Sequence, residues 1–232
     1  MNRAGAAGEQ ERFRIEAALK GIEAAEGAGA RLSVDSPFKA LITTILSQAT
    51  NWRNVELAAG RLEERVGISP GKLLKASLVE IKRAIAPAGL HNVKSKKIKA
   101  LVKVLYEKYG GDLGRILSLP GGEAREKLME LPGVGRKTAD VVLAFVKREP
   151  TLPVDTHVSR IAKRLKVVGE KAGYEEIKAA LESFIPPEKR LTMHLAMIRF
   201  GRAVCKAVNP RCGACPIANH CPTKNFVKRP RP

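Results

Sequence analysis

Four side-chain groups in this sequence have the types and spacing to do chemistry. The first is the segment LPGVGRKTA at residues 131–139, set between two helical patterns. Gly133 and Gly135 lack Cβ atoms, so the backbone can turn sharply around Val134 and leave amides facing outward. Those amides, backed by the start of the next helix, form a seat for one phosphate and read no base sequence. A ligand-free turn between two helices is the plainer reading of an isolated Gly-x-Gly. The surrounding positive charge tips the balance toward the phosphate.

Lys137 and Asp155 are the second and third groups. Lys137 falls just inside a helix whose expected buried face is Ala139, Val141, Val142, Ala144 and Phe145. An ammonium at the positive end of a helix is electrostatically misplaced. That placement is expected to lower its pKa, which suits a nucleophile. A phosphate-binding lysine without chemistry is the alternative. Asp155, in LPVDTHVSR, stands at an expected N-cap ahead of Val158 and Ile161, and simple capping would account for it alone.

The fourth group is Cys205-x6-Cys212-x2-Cys215-x5-Cys221. Disulfides in a framework of small secreted type would be spread more widely, so the cluster reads as a metal site. Four thiolates can hold Zn²⁺ or a 4Fe–4S cluster. Zinc ribbons usually pair two Cys-x2-Cys knuckles across a longer insert, whereas one compact loop suits an iron–sulfur cluster.

The elements that must position these groups are helical. Ser36-Pro37 and Ser69-Pro70 read as N-caps followed by proline at the first helical position, and Ser77 can cap LVEIKRAI. A helix from about Asn51 stops at Gly67. After Asn92, Ile98, Leu101, Val102 and Leu105 share one face, Lys96, Lys99 and Lys103 the other, and Gly110-Gly111 ends the helix. Further helices are expected at about 122–130, 136–148, 155–166, 173–185 and 188–205. No alternation of strand type with hairpin turns occurs, so the fold class is all-α. Soft seams lie near residues 28–34 and at Arg148-Glu149-Pro150.

Composition narrows the partner. Lys+Arg number 42 and Asp+Glu 23, a formal net charge of +19 over 232 residues. Such a field favours a polyanion, nucleic acid first and an acidic membrane surface second. Hydrophobic residues make up 44% of the chain, enough for a core and too many for a disordered basic tail. No apolar run approaches a membrane span. The N-terminal segment has no apolar stretch of signal-peptide type, so an intracellular, cytoplasmic and nucleoid-associated protein is expected. Gln10 and Gln48 are the only glutamines, which leans toward a heat-adapted prokaryotic source. Lys224, Lys228, Arg229 and Arg231 give the tail a basic, acid-free character, either solvated or contacting DNA.

LPGVGRKTA, then VDTH, then the cysteine ladder, in that order, resembles endonuclease III of the helix–hairpin–helix DNA glycosylase superfamily from about Ser36 to Cys221. The resemblance implies a six-helix helix–hairpin–helix domain at 31–149 and a four-helix domain at 1–30 and 150–232 that carries a 4Fe–4S cluster. It places the active site in the cleft between them. It also implies a monomeric bifunctional glycosylase/AP lyase that acts on oxidised pyrimidines in double-stranded DNA. In that reading Lys137 is the nucleophile, Asp155 the essential aspartate, and Cys205, Cys212, Cys215 and Cys221 the cluster ligands. Gln48 of SQATN fills the gap left by an extruded nucleotide, and Leu90 of GLHN enters the base stack. His91 replaces a more usual tyrosine, and Gly133, Val134 and Gly135 form the hairpin that grips the DNA. Asn51 and Asn209 depart from the family pattern, at an acidic and an often basic position respectively. Adenine-removing and mismatch-specific relatives would carry serine or tyrosine at 137, and a non-catalytic hairpin module would need neither Lys137 nor Asp155.

Overall fold

A computed structural model describes residues 3–26 and 36–224. The expected seam at 28–34 and the tail residues Lys228, Arg229 and Arg231 lie outside them. Among the described residues there are helices and no strands. In chain order they are α1 (Arg3–Glu26), α2 (Pro37–Leu46), α3 (Trp52–Arg65), α4 (Pro70–Lys75), α5 (Leu78–Ala84) and α6 (His91–Tyr109). They continue as α7 (Gly114–Leu117), α8 (Gly121–Met129), α9 (Arg136–Val142), α10 (Thr156–Arg164), α11 (Tyr174–Phe184) and α12 (Arg190–Ala203).

Local chemistry fixes most of the starts. Ser36, Asn51 and Ser69 each cap a helix through the side chain, and α2 and α4 open on proline. Ser77 and Glu80 form a reciprocal capping box at the head of α5. α9 does not run unbroken to 148: a π-helical stretch at Leu143–Lys147 follows it and ends at Arg148, whose φ is 61°. Such one-turn bulges break the helical register locally.

The chain divides into two compact units, Leu32–Glu149 and Met1–Arg31 with Pro150–Pro232. In the first, α2 contributes Phe38, Leu41, Ile42, Ile45 and Leu46 to the core, and α6 contributes the expected Ile98, Leu101, Val102 and Leu105. Six of its described helices have seven or more residues, and α4 and α7 are shorter. In the second, α1, α10, α11 and α12 surround a separate core. Ile15, Ala18, Leu19 and Ile22 of α1 line one face at helical spacing. Among the described residues no helix is long and apolar enough to cross a membrane.

Two charged residues depart from the sequence expectation. Lys94, four residues before Ile98, lies on the buried face of α6. Asp140 interrupts the expected apolar face of α9. It is fully buried and takes a two-pronged ion pair from Arg125 of α8, at 2.8 and 3.1 Å. Val141 and Phe145, expected on the buried face, are only half-buried.

Candidate active site and cysteine loop

The turn between α8 and α9 is built around one left-handed residue. Gly133 has φ +86°, and a Cβ there would also meet the Lys97 stem at 3.1 Å. Gly135 differs: its φ of −100° is open to any residue, and a Cβ would point into open space. That space, rather than backbone freedom, is what glycine leaves at 135. Gly135 is also the N-cap of α9 and supplies no side-chain cap to the helix amides. Val134 is less available than expected. Its side chain is 6% exposed within the core, and its amide donates to Leu131 O at 3.0 Å.

Lys137 is the second residue of α9, half-buried, directly after this uncapped start. Thr138 beside it is buried. Its hydroxyl accepts from Gln48 Nε2 at 3.4 Å, and the same amide nitrogen donates to Gly133 O at 3.1 Å. The structure therefore brings Gln48 to the hairpin, a contact that sequence spacing does not disclose. Gln48 sits in the turn after α2, next to Ala49, whose φ is 52°.

Leu90 is 58% exposed and left-handed, with φ 48° and ψ 30°. Such a conformation costs a non-glycine residue on the order of 1–2 kcal/mol. An exposed leucine in a strained turn is costly twice over. His91 opens α6 immediately after it. Asn51 caps α3, its side chain accepting from Asn54 N at 3.0 Å, a role an acid would also fill.

In the other unit, Asp155 is the N-cap of α10. Its Oδ1 accepts from His157 N at 2.9 Å and Val158 N at 2.8 Å, so one oxygen does the capping. Burial pushes the His157 imidazole below its usual range, the Asp155 charge opposes this, and Arg160 adds to it.

α10 also carries the residues that brace the cysteine loop. Arg160 donates to Cys205 O at 2.9 Å and to Gly201 O at 3.0 Å. Arg164 donates to Cys205 Sγ at 3.2 Å, Lys206 O at 2.7 Å and Ala207 O at 3.1 Å. Cys205, Cys212, Cys215 and Cys221 form no disulfide and line one cavity, walled by Ile161, Leu165, Phe200, Val204 and Ile217. Burial pushes the Cys215 thiol up, and the other three cysteines add to the shift, as expected of sulfurs sharing one space. Gly21 of α1 leaves room for Ile217: a Cβ would stand 2.6 Å from its methyl group. Asn209 has φ 49°, a left-handed conformation that asparagine tolerates better than most residues.

The donor set fits an iron–sulfur cluster. Thiolates are the ligands that such clusters take. Four thiols around one apolar cavity suit that group, and the two arginines offset its negative charge.

Comparison with known proteins agrees with this geometry. Residues 42–187 match the HhH-GPD superfamily base excision DNA repair protein family, and residues 205–221 match the iron–sulfur binding domain of endonuclease III. The second match assigns the loop an iron–sulfur cofactor. Endonuclease III of Thermotoga maritima is 39% identical over 185 residues, 80% of this chain and 82% of that protein. The Escherichia coli (strain K12) enzyme is 34% identical over 196 residues, 84% and 88% respectively. Among solved structures, a trapped endonuclease III–DNA covalent intermediate superposes with a TM-score of 0.82 at 33% identity, covering 92% of this chain and 96% of the other. A thermostable thymine-DNA glycosylase, 23% identical with a TM-score of 0.77, shares the fold. The chain is a DNA repair glycosylase and belongs to the endonuclease III family.

Proposed function

We propose that the protein is a monomeric, bifunctional DNA glycosylase/AP lyase that removes oxidised pyrimidines of the thymine glycol type from double-stranded DNA. One observation carries this reading: a lysine, not a serine or tyrosine, stands in the first turn of α9, directly after a hairpin whose helix start has no side-chain cap. A hairpin that grips backbone phosphate would bring a sugar within reach of the Lys137 amine.

The steps follow from the groups. A damaged base is cheaper to extrude than a sound one. Leu90 enters the stack while Gln48 fills the gap. The neutral amine of Lys137 forms a bond to C1′ as the bond to the base breaks and the base leaves with its electron pair. The Asp155 carboxylate stabilises positive charge developing on the sugar. The amine loses its proton, the ring opens to an imine, and the C2′ hydrogen becomes acidic. Loss of that proton and rupture of the C3′–O bond nick the strand 3′ to the lesion. Cys205, Cys212, Cys215 and Cys221 hold the cluster, which staples four points of the chain when bound. In this reading residues 31–149 form the hairpin domain, and 1–30 with 150–232 form the cluster domain.

The test uses duplexes that carry thymine glycol, uracil opposite guanine, or a bare abasic site, with base loss and nicking scored separately. The proposal expects base loss and nicking at thymine glycol and nicking at the abasic site. Base loss at the mismatch without nicking anywhere would favour a monofunctional enzyme.

A further inference from the structure

Lys94 is 2% exposed, yet its ammonium meets two neutral acceptors and not a carboxylate: Nζ donates to Leu46 O at 2.8 Å and to Ala88 O at 2.8 Å. Burial is costly for such a group, and burial first, with Lys97 second, pushes the ammonium below its usual range. Methionine would fill the same space without burying a charge, but it would leave both carbonyls without a donor. The identity of the two carbonyls explains the amine.

Leu46 ends α2 and stands two residues before Gln48; Ala88 stands two residues before Leu90. Each loop then contains a non-glycine residue in left-handed backbone, Ala49 with φ 52° and Leu90 with φ 48°. Conformations of this kind persist only where the surroundings over-determine them. One buried amine holds both loops immediately upstream of their strained residues. The same frame reaches the hairpin, since Gln48 donates to Gly133 O and the Lys97 stem lies under Gly133.

We infer that Lys94 is a positioning residue that fixes the spacing of the Gln48 and Leu90 loops, so that both side chains meet one step of the duplex together. The inference rests on the DNA-inserting roles proposed above for those two residues. Lys94 touches no reacting atom. It acts through the loops, and its removal should uncouple them while the helical core stays in place.

Lys94→Met keeps the apolar stem and removes the amine. Affinity is measured for a duplex that carries a tetrahydrofuran abasic analogue and for the undamaged duplex, at one salt concentration, with the cluster-loaded protein. The preference for the abasic duplex should fall about tenfold, as coupling energies between contacting groups allow. Affinity for undamaged DNA and the cluster absorbance should change little, while the melting temperature should fall because Leu46 O and Ala88 O lose their donor. In a Leu90→Ala background the added effect of Lys94→Met on that preference should nearly vanish. A residue that merely supports the core would lower both affinities together and add to Leu90→Ala, which would overturn the inference. A preference that survives Lys94→Met but is lost in Leu90→Ala would overturn it alone and leave the loop reading intact. A wild type with no preference would overturn both. Should Lys94→Met fail to fold, Lys94→Gln, which is uncharged and one bond shorter, is read by the same ratio and the same outcomes.

Discussion

Replacing Asp155 by asparagine and by alanine separates two roles of one carboxylate. The cap consists of two hydrogen bonds to Oδ1, from His157 N at 2.9 Å and Val158 N at 2.8 Å. Asparagine keeps that oxygen and caps about as well as aspartate, so Asp155→Asn should cost only a few tenths of a kcal/mol. Alanine removes both bonds and should cost about 1 kcal/mol, a fall in melting temperature of roughly 2–4 °C for a chain of this size. Base removal should follow a different order. Stabilising a cationic sugar needs the charge, so both variants should lose it severely while retaining more of the lyase activity on a pre-formed abasic site, where no glycosidic bond remains to break. Thermal melts followed by circular dichroism, run beside base-release and nicking assays, supply both axes. An Asp155→Asn protein that removes base at the wild-type rate would refute the charge argument. One that melts as low as Asp155→Ala would refute the capping argument.

Neutralising Asp155 should also shift His157 further down, because the carboxylate's charge opposes the lowering by burial. The folded imidazole already binds its proton less readily than the unfolded one. This group's penalty is therefore absent above the ordinary histidine range, near 6.5, and grows as pH falls below it; NMR titration of the ring reads the shift. Arg125→Ala leaves Asp140 buried without its guanidinium and should destabilise by about 3–5 kcal/mol in denaturant melts. Gly133→Val meets both a left-handed φ and the Lys97 stem, and should weaken damaged and undamaged duplex alike in binding titrations. Cys212→Ser should abolish the brown absorbance and lower the melting temperature, because the loop braced by Arg160 and Arg164 loses one anchor. Iron and sulfide analysis of the native protein should return about four of each per chain, and stoichiometric zinc instead would refute the cluster assignment.

Much of this is legible in the sequence because the signals are local. Ser36-Pro37, Ser69-Pro70 and the Ser77–Glu80 box declare helix starts through bonds spanning three residues. The cysteine ladder is equally local, its ligand types and spacing both lying within residues 205–221. Lys94 and Asp140 were illegible for the opposite reason. Lysine and aspartate are expected at surfaces, and their compensation comes from distant partners: carbonyls at 46 and 88 for one, Arg125 for the other. The hairpin was half legible. The turn is local, the Val134 amide bonding Leu131 O three residues back, but the Gln48 contact and the Lys97 stem under Gly133 depend on tertiary placement. α1 is legible in the same local way, since Ile15, Ala18, Leu19 and Ile22 recur at helical spacing, and packing on the second core buries that face.

Borohydride trapping tests the central claim most directly. The cluster-loaded protein is incubated with a duplex containing a pre-formed abasic site, reduced, digested and analysed by mass. The account predicts a covalent protein–DNA adduct whose modified peptide contains Lys137, and its disappearance in Lys137→Gln, a variant that still folds, holds its cluster and binds DNA. An adduct undiminished in Lys137→Gln, or nicking by the wild type with no adduct at all, would contradict it.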